Sequence, residues 1–116
     1  MPERTDHYTP QPSPATAPWP EGVIARYLTV GGAVVELTER SGYHGVTHPT
    51  ETHGACGACP ATATFDWGWN AYHDEFGTGP QPDFDETGHS LLPTARAWAQ
   101  AHAETCRALP RPAVTA

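Results

Sequence analysis

Lysine is missing from this 116-residue chain. All six basic residues are arginine, and they face 13 acidic residues, for a formal net charge of −7. Nucleic-acid binding draws most of its affinity from phosphates neutralised by Lys and Arg, so this balance argues against a nucleic-acid partner. Between residues 41 and 95 the shortage is complete: Glu51, Asp66, Asp74, Glu75, Asp83, Asp85 and Glu86 occur there without a single arginine. Cysteine is scarce as well. Three thiols, an odd number, fit a reducing compartment better than a disulfide framework. No apolar run approaches the ~20 residues that a membrane span needs. The first residues also lack the basic-then-apolar layout of a secretion signal. A cytoplasmic location is the expectation.

Proline and glycine, by contrast, are plentiful, with 13 and 11 copies. Six of the prolines fall in residues 1–20, which carry almost nothing able to form a core. We read 1–20 as a disordered Pro-rich arm and 111–116 as a disordered tail. The remaining 21–110 make one small domain. At that size a chain buries only about 60% of its unfolded surface and needs a staple.

Residues 26–30 (RYLTV) and 33–38 (AVVELT) are rich in β-branched and aromatic side chains. Gly31-Gly32 lies between them, which is a hairpin signature. The 43–52 stretch alternates weakly and contains Pro49, so a third strand there should be short and at a sheet edge. Residues 62–69 alternate better, with Phe65, Trp67 and Trp69 on one side. From 70 to 89 the chain is acidic and interrupted by Gly and Pro, and reads as a long loop or insertion. Alanine-rich 94–108, with Thr94 as N-cap and Pro110 as a stop, is the helix. Trp98, His102 and Cys106 recur at i, i+4 and i+8 on it, and Leu109 extends that face.

Cys56-Gly-Ala-Cys59 and His102-Ala-Glu-Thr-Cys106 together form a C-x2-C plus H-x3-C set, the spacing of a closed tetrahedral zinc site. Small residues around the first pair allow a knuckle in which both sulfurs face one point. The set uses every cysteine in the chain. Three thiolates and one Zn²⁺ add a further negative charge. Residues 60–101 intervene between the pairs, but loop closure costs only about 0.6 kcal/mol per doubling of length. Structural zinc contributes an apparent ~10–16 kcal/mol in finger peptides. The competing reading is a chance CxxC with Cys106 as a buried thiol.

Four strong ligands close the shell, whereas a catalytic zinc keeps a position open. His102-Ala-Glu104 beside a CxxC echoes the zinc deaminases. Here, however, the two elements come in reverse order, and Ala55, not proline, precedes Cys56. A zinc hydrolase or deaminase is therefore the weakest reading, a nucleic-acid-binding finger the next, and no enzyme activity is expected. His44, His48, His53, His73 and His89 read as surface or loop histidines, with His53 a substitute ligand for His102. The 65–76 stretch (FDWGWNAYHDEF) interleaves aromatics with acids. Its aromatics either fill the small core or anchor a partner. On the second reading Trp67, Trp69, Tyr72, Asp74, Glu75 and Phe76 are partner-binding.

The 25–38 hairpin sequence, the CxxC, and Trp98-Ala-Gln-Ala-His-Ala-Glu-Thr-Cys-Arg-Ala-Leu-Pro110 resemble a group of small, uncharacterised actinomycete-type proteins. Plasmids, phages and other mobile elements often encode these. The resemblance covers roughly half of the chain. It implies a zinc-finger-like module with Cys56, Cys59, His102 and Cys106 at the ligand positions, and it implies no enzyme activity. The His-rich stretch before Cys56 and the acidic insertion after Trp69 depart from the pattern.

Taken together, these features predict a small zinc-stabilised α+β domain: a β-hairpin with one or two short strands, packed on a C-terminal helix. One structural Zn²⁺ is the expected cofactor. The expected partner is a protein, including a basic or nucleic-acid-handling one, with direct nucleic acid and membrane both disfavoured.

Overall fold

A computed structural model describes residues 18–110. Most of the arm expected at 1–20 and all of the tail expected at 111–116 lie outside the described residues. The domain is α+β, as the hairpin and helix patterns of the sequence predict. Four strands, β1 (Val23–Leu28), β2 (Val34–Arg40), β3 (Glu51–Cys56) and β4 (Thr62–Asp66), form an antiparallel sheet in the order β1-β2-β3-β4. A short helix α1 (Ala71–Phe76) and the C-terminal helix α2 (Leu92–Thr105) complete it.

The β1–β2 hairpin is built on pairs that set a β-branched valine against an aliphatic or aromatic side chain, such as Leu28↔Val34 and Tyr27↔Val35. Its turn closes with the Thr29 amide donating to the Ala33 carbonyl (2.9 Å) and the Ala33 amide donating to the Thr29 hydroxyl (2.9 Å). Gly32 takes the left-handed conformation the turn requires (φ 93°).

The third strand corrects the expectation of an edge strand within 43–52. It starts after Pro49 and sits inside the sheet, paired to β2 through Leu37↔Gly54 and to β4 through Thr52↔Phe65. Pro49 precedes the ladder, so its missing N–H removes no sheet bond. Likewise the 70–89 insertion is not only loop. Asn70 caps α1, its side chain accepting the His73 amide at 3.0 Å, a cap that the Asn offers but the surrounding Gly and Pro obscure.

Helix α2 packs on β1, β2 and β3. Ala95, Ala99 and Ala103, four residues apart, are buried along one stripe over Val35 and Leu37, which are fully buried. Burying each of those two larger side chains contributes about 1.5–3 kcal/mol. The small residues let the helix approach the sheet closely. Gly54 serves the same fit, because a Cβ there would run into the Trp98 indole. Two details of the predicted helix change. It begins at Leu92 with Pro93 in its first turn, so Thr94 is inside the helix and Leu91 is an N-cap without a side-chain bond. It ends at Thr105, and Leu109 is 77% exposed instead of extending the apolar face.

Candidate metal centre

Two chain segments meet at one end of the sheet. Cys56 is the last residue of β3, and Cys59 lies in the turn that leads into β4. The turn is held by the Gly57 amide donating to the Val34 carbonyl (2.9 Å) and the Cys56 amide donating to the Ala61 carbonyl (3.2 Å). The Ala58 amide points at the Cys56 sulfur at 3.4 Å, the amide-to-thiolate contact expected of a knuckle.

From the other side, His102 stands in the last turn of α2. Cys106 is the residue at which the helix stops: its amide still bonds the His102 carbonyl (2.8 Å), but its backbone is extended (φ −75°, ψ 114°). The helical stripe expected to carry it thus ends one residue early, and Cys106 reaches the site from the cap. Backbone bonds fix that cap to the hairpin, with Gly31 donating to the Cys106 carbonyl (3.0 Å) and Val30 to the Ala103 carbonyl (2.9 Å). Trp98 stacks on the His102 ring (centroids 5.9 Å apart, planes 13° apart) and meets Phe65 edge-on.

One ligand atom from each of Cys56, Cys59, His102 and Cys106 lies within 4.8 Å of all the others. Cys106 Sγ is 3.9 Å from both Cys56 Sγ and Cys59 Sγ, and Cys59 Sγ is 3.3 Å from His102 Nε2. Two thiolates at ~2.3 Å from a tetrahedral ion stand roughly 3.8 Å apart, so the sulfur spacing suits one zinc ion and is far too long for a disulfide. The electrostatics agree. Burial works against ionising Cys56, but the Ala58 amide, the His102 ring and Cys59 outweigh it and lower the thiol to about 7. For Cys59 the Ala61 amide pulls down, yet burial and the Cys56 and Cys106 sulfurs push harder, and its pKa is raised. Three sulfurs packed this closely cannot all ionise without a cation among them, and a dication removes that conflict. The donor set and its spacing are compatible with one structural zinc.

His53, the candidate substitute, is not part of this group. It lies on β3 with its Nδ1 at 3.3 Å from the Thr64 hydroxyl, and burial and the nearby Arg40 lower its pKa.

The six residues expected to bind a partner divide. Trp67 is buried (4% exposed) and donates its indole N–H to the Thr52 hydroxyl at 2.9 Å. Gly88 packs against its ring, at a point where a Cβ would overlap it. Trp67 is therefore a core residue, because β4 ends at Asp66 and the chain folds back over the indole. Trp69 is half-buried and meets His48 and Phe84 edge-on, at centroid distances of 4.5 and 5.0 Å. Tyr72 (73%) and Phe76 (66%) are exposed and touch each other on α1, with centroids 4.8 Å apart. Glu75 is exposed on the same helix, which also carries Asp74.

Beside this insertion lies a cleft of about 840 Å³, lined among others by His48, Trp69, His73, Gln81, Phe84 and Glu86. Sequence reasoning missed it, since His48 comes from the β2–β3 loop and no local pattern joins it to Phe84. One signal was available: a 20-residue acidic stretch with repeated aromatics in a small domain.

Fold and site thus define a class, a small α+β domain with a Cys3His cluster able to hold one metal ion. The chain matches no family model, no curated protein and no solved structure. Among the described residues, no helix is long and apolar enough to cross a membrane.

Proposed function

We propose that the protein is a structural-zinc module that presents an acidic, aromatic surface to a protein partner, in an interaction or regulatory role without catalysis. The ion clamps the C-terminal helix to the sheet, and α1 with its flanking insertion offers the contact surface. The observation that carries this reading is the exposed pair Tyr72 and Phe76 beside Glu75, on a domain whose Cys3His cluster supplies the four donors of a structural site. Large exposed aromatics are the usual anchors of interfaces, and the acid excess favours a basic partner. A cytoplasmic setting suits three reduced thiols. Kinship with the mobile-element proteins is part of the same proposal and rests on the resemblance of the hairpin, knuckle and helix sequences.

Two measurements test it. X-ray absorption on the zinc-loaded chain is expected to report three sulfurs and one nitrogen; a water oxygen in the shell counts for a hydrolytic site instead. Affinity capture is expected to yield a partner that the double variant Tyr72→Ser/Phe76→Ser loses while keeping its zinc. Undiminished capture by that variant removes the surface from the proposal.

A further inference from the structure

We propose that the cleft walled by His48, Trp69 and Phe84 takes the guanidinium or ammonium group of a basic protein segment. This rests on the interaction role above and names the chemistry the surface recognises. Three features of the cleft support it. Its volume, about 840 Å³, lies within the range of ligand sites and exceeds what one side chain fills. Its wall holds three mutually packed rings: His48 on Trp69 at 67°, Trp69 on Phe84 at 85°, and His48 on Phe84 at 46°. The negative ring faces of Trp and Phe attract a cation, and arginine most often fills that role.

The third feature is charge. Of the five acids in residues 70–89 (Asp74, Glu75, Asp83, Asp85 and Glu86), Glu86 lines the cleft, and the chain supplies no arginine between 41 and 95 to offset them. The ion pairs Arg26–Glu36 and Arg40–Glu51 lie on the sheet and involve none of these acids. Asp85 is occupied by Thr87 and Ser90, but Glu86 lines the cleft and its carboxylate makes no hydrogen bond or ion pair among the described residues. An anionic ligand would meet uncompensated like charge, and a purely apolar one would leave Glu86 unused.

The test titrates the full, zinc-loaded chain with a short amidated peptide of alternating arginine and glycine. Amide and indole resonances are followed by NMR. Saturable shifts are expected at the Trp69 indole N–H and the Gln81 side-chain amide, with none at Trp67. A peptide with glutamine in place of arginine should leave both unmoved. Glu86→Gln is expected to weaken binding about two- to fivefold, as for an exposed charge pair, and added salt should weaken it further. Phe84→Leu should cost about two- to fivefold through the lost ring face. Zinc content and an unchanged Trp67 resonance certify that each variant is folded.

The proposal is overturned if the arginine peptide gives no saturable shift, if Glu86→Gln binds as tightly as the parent, or if a glutamine or proline-only peptide saturates the same resonances equally. Should the arginine peptide fail while Tyr72→Ser/Phe76→Ser still abolishes partner capture, the cleft assignment falls and the interaction surface stands. Failure of both removes both.

Discussion

The metal end of the domain and the 67–90 segment, which contains the 70–89 insertion, are held by different physics. At the metal end, side chains distant in sequence converge on one point, and alanines, Gly54 and the Trp98–His102 stack leave little room for alternatives. That segment has one deep anchor, Trp67; beyond it come the His48–Trp69–Phe84 ring contacts, the Tyr43 hydroxyl donating to the Trp69 carbonyl, and local hydrogen bonds such as Asn70 to His73 and Asp85 to Thr87 and Ser90. Its remaining aromatics stay half-buried or exposed. A rigid cluster thus supports a segment with little core of its own, and such low-burial segments are where binding usually sits.

The largest effects should come from breaking the metal end. Cys56→Ser or Cys106→Ser is expected to lose both zinc and cooperative unfolding, because the ~10–16 kcal/mol of a structural site is comparable with the whole stability of a small domain. Metal analysis with thermal melting checks this, and a variant that stays metal-free yet melts sharply would mean that the core alone suffices. Next, Trp67→Ala should destabilise by about 3–5 kcal/mol, the range for a buried Trp, since it empties the one anchor of the insertion. Urea unfolding measures the loss, while zinc content should hold in the folded fraction.

Gly54→Ala should cost about 1–3 kcal/mol by forcing the Trp98 ring off the sheet, an overpacking effect read from the same urea curves. Asp85 tests the insertion alone. Hydrogen bonds from the Thr87 hydroxyl and the Ser90 amide hold its carboxyl well below the ordinary range. A folded pKa below the unfolded value means that the unfolded state binds more protons. The contribution is therefore complete above the ordinary Asp pKa and is lost as pH falls through the folded value. Asp85→Asn should flatten that acid limb and speed amide exchange at residues 87–90, without touching metal binding. The smallest effect is expected of Tyr72→Ser, which should stay within about 0.5 kcal/mol of the parent in stability because the ring is exposed.

Much of this contrast was legible in the residues. The hairpin followed from Val, Tyr and Leu runs around Gly31-Gly32, and α2 from its alanines. The four ligands followed from two short spacings whose geometry is local. The third strand differs from its expected place because its 51–56 sequence, with one threonine, a histidine, a glycine and an alanine, carries no strong period of its own. Pairing on both sides makes it a strand. For the same kind of reason the sequence leaves Trp67 open between core and partner surface, and burial makes it core. It alternates with Phe65 and Trp69, yet the three rings go to different neighbours: Trp98 for Phe65, Thr52 and Gly88 for Trp67, and His48 and Phe84 for Trp69.

By itself the sequence determined the donor chemistry, the helix, the hairpin and the excess of acid, since each of these belongs to residue types and to spacings of a few positions. Only the tertiary structure decided that β3 lies inside the sheet, that Trp67 is enclosed while Tyr72 and Phe76 face outward, and that a cleft opens beside Trp69. Burial is set by what folds over a side chain from far along the chain, and no short window of residues contains that information.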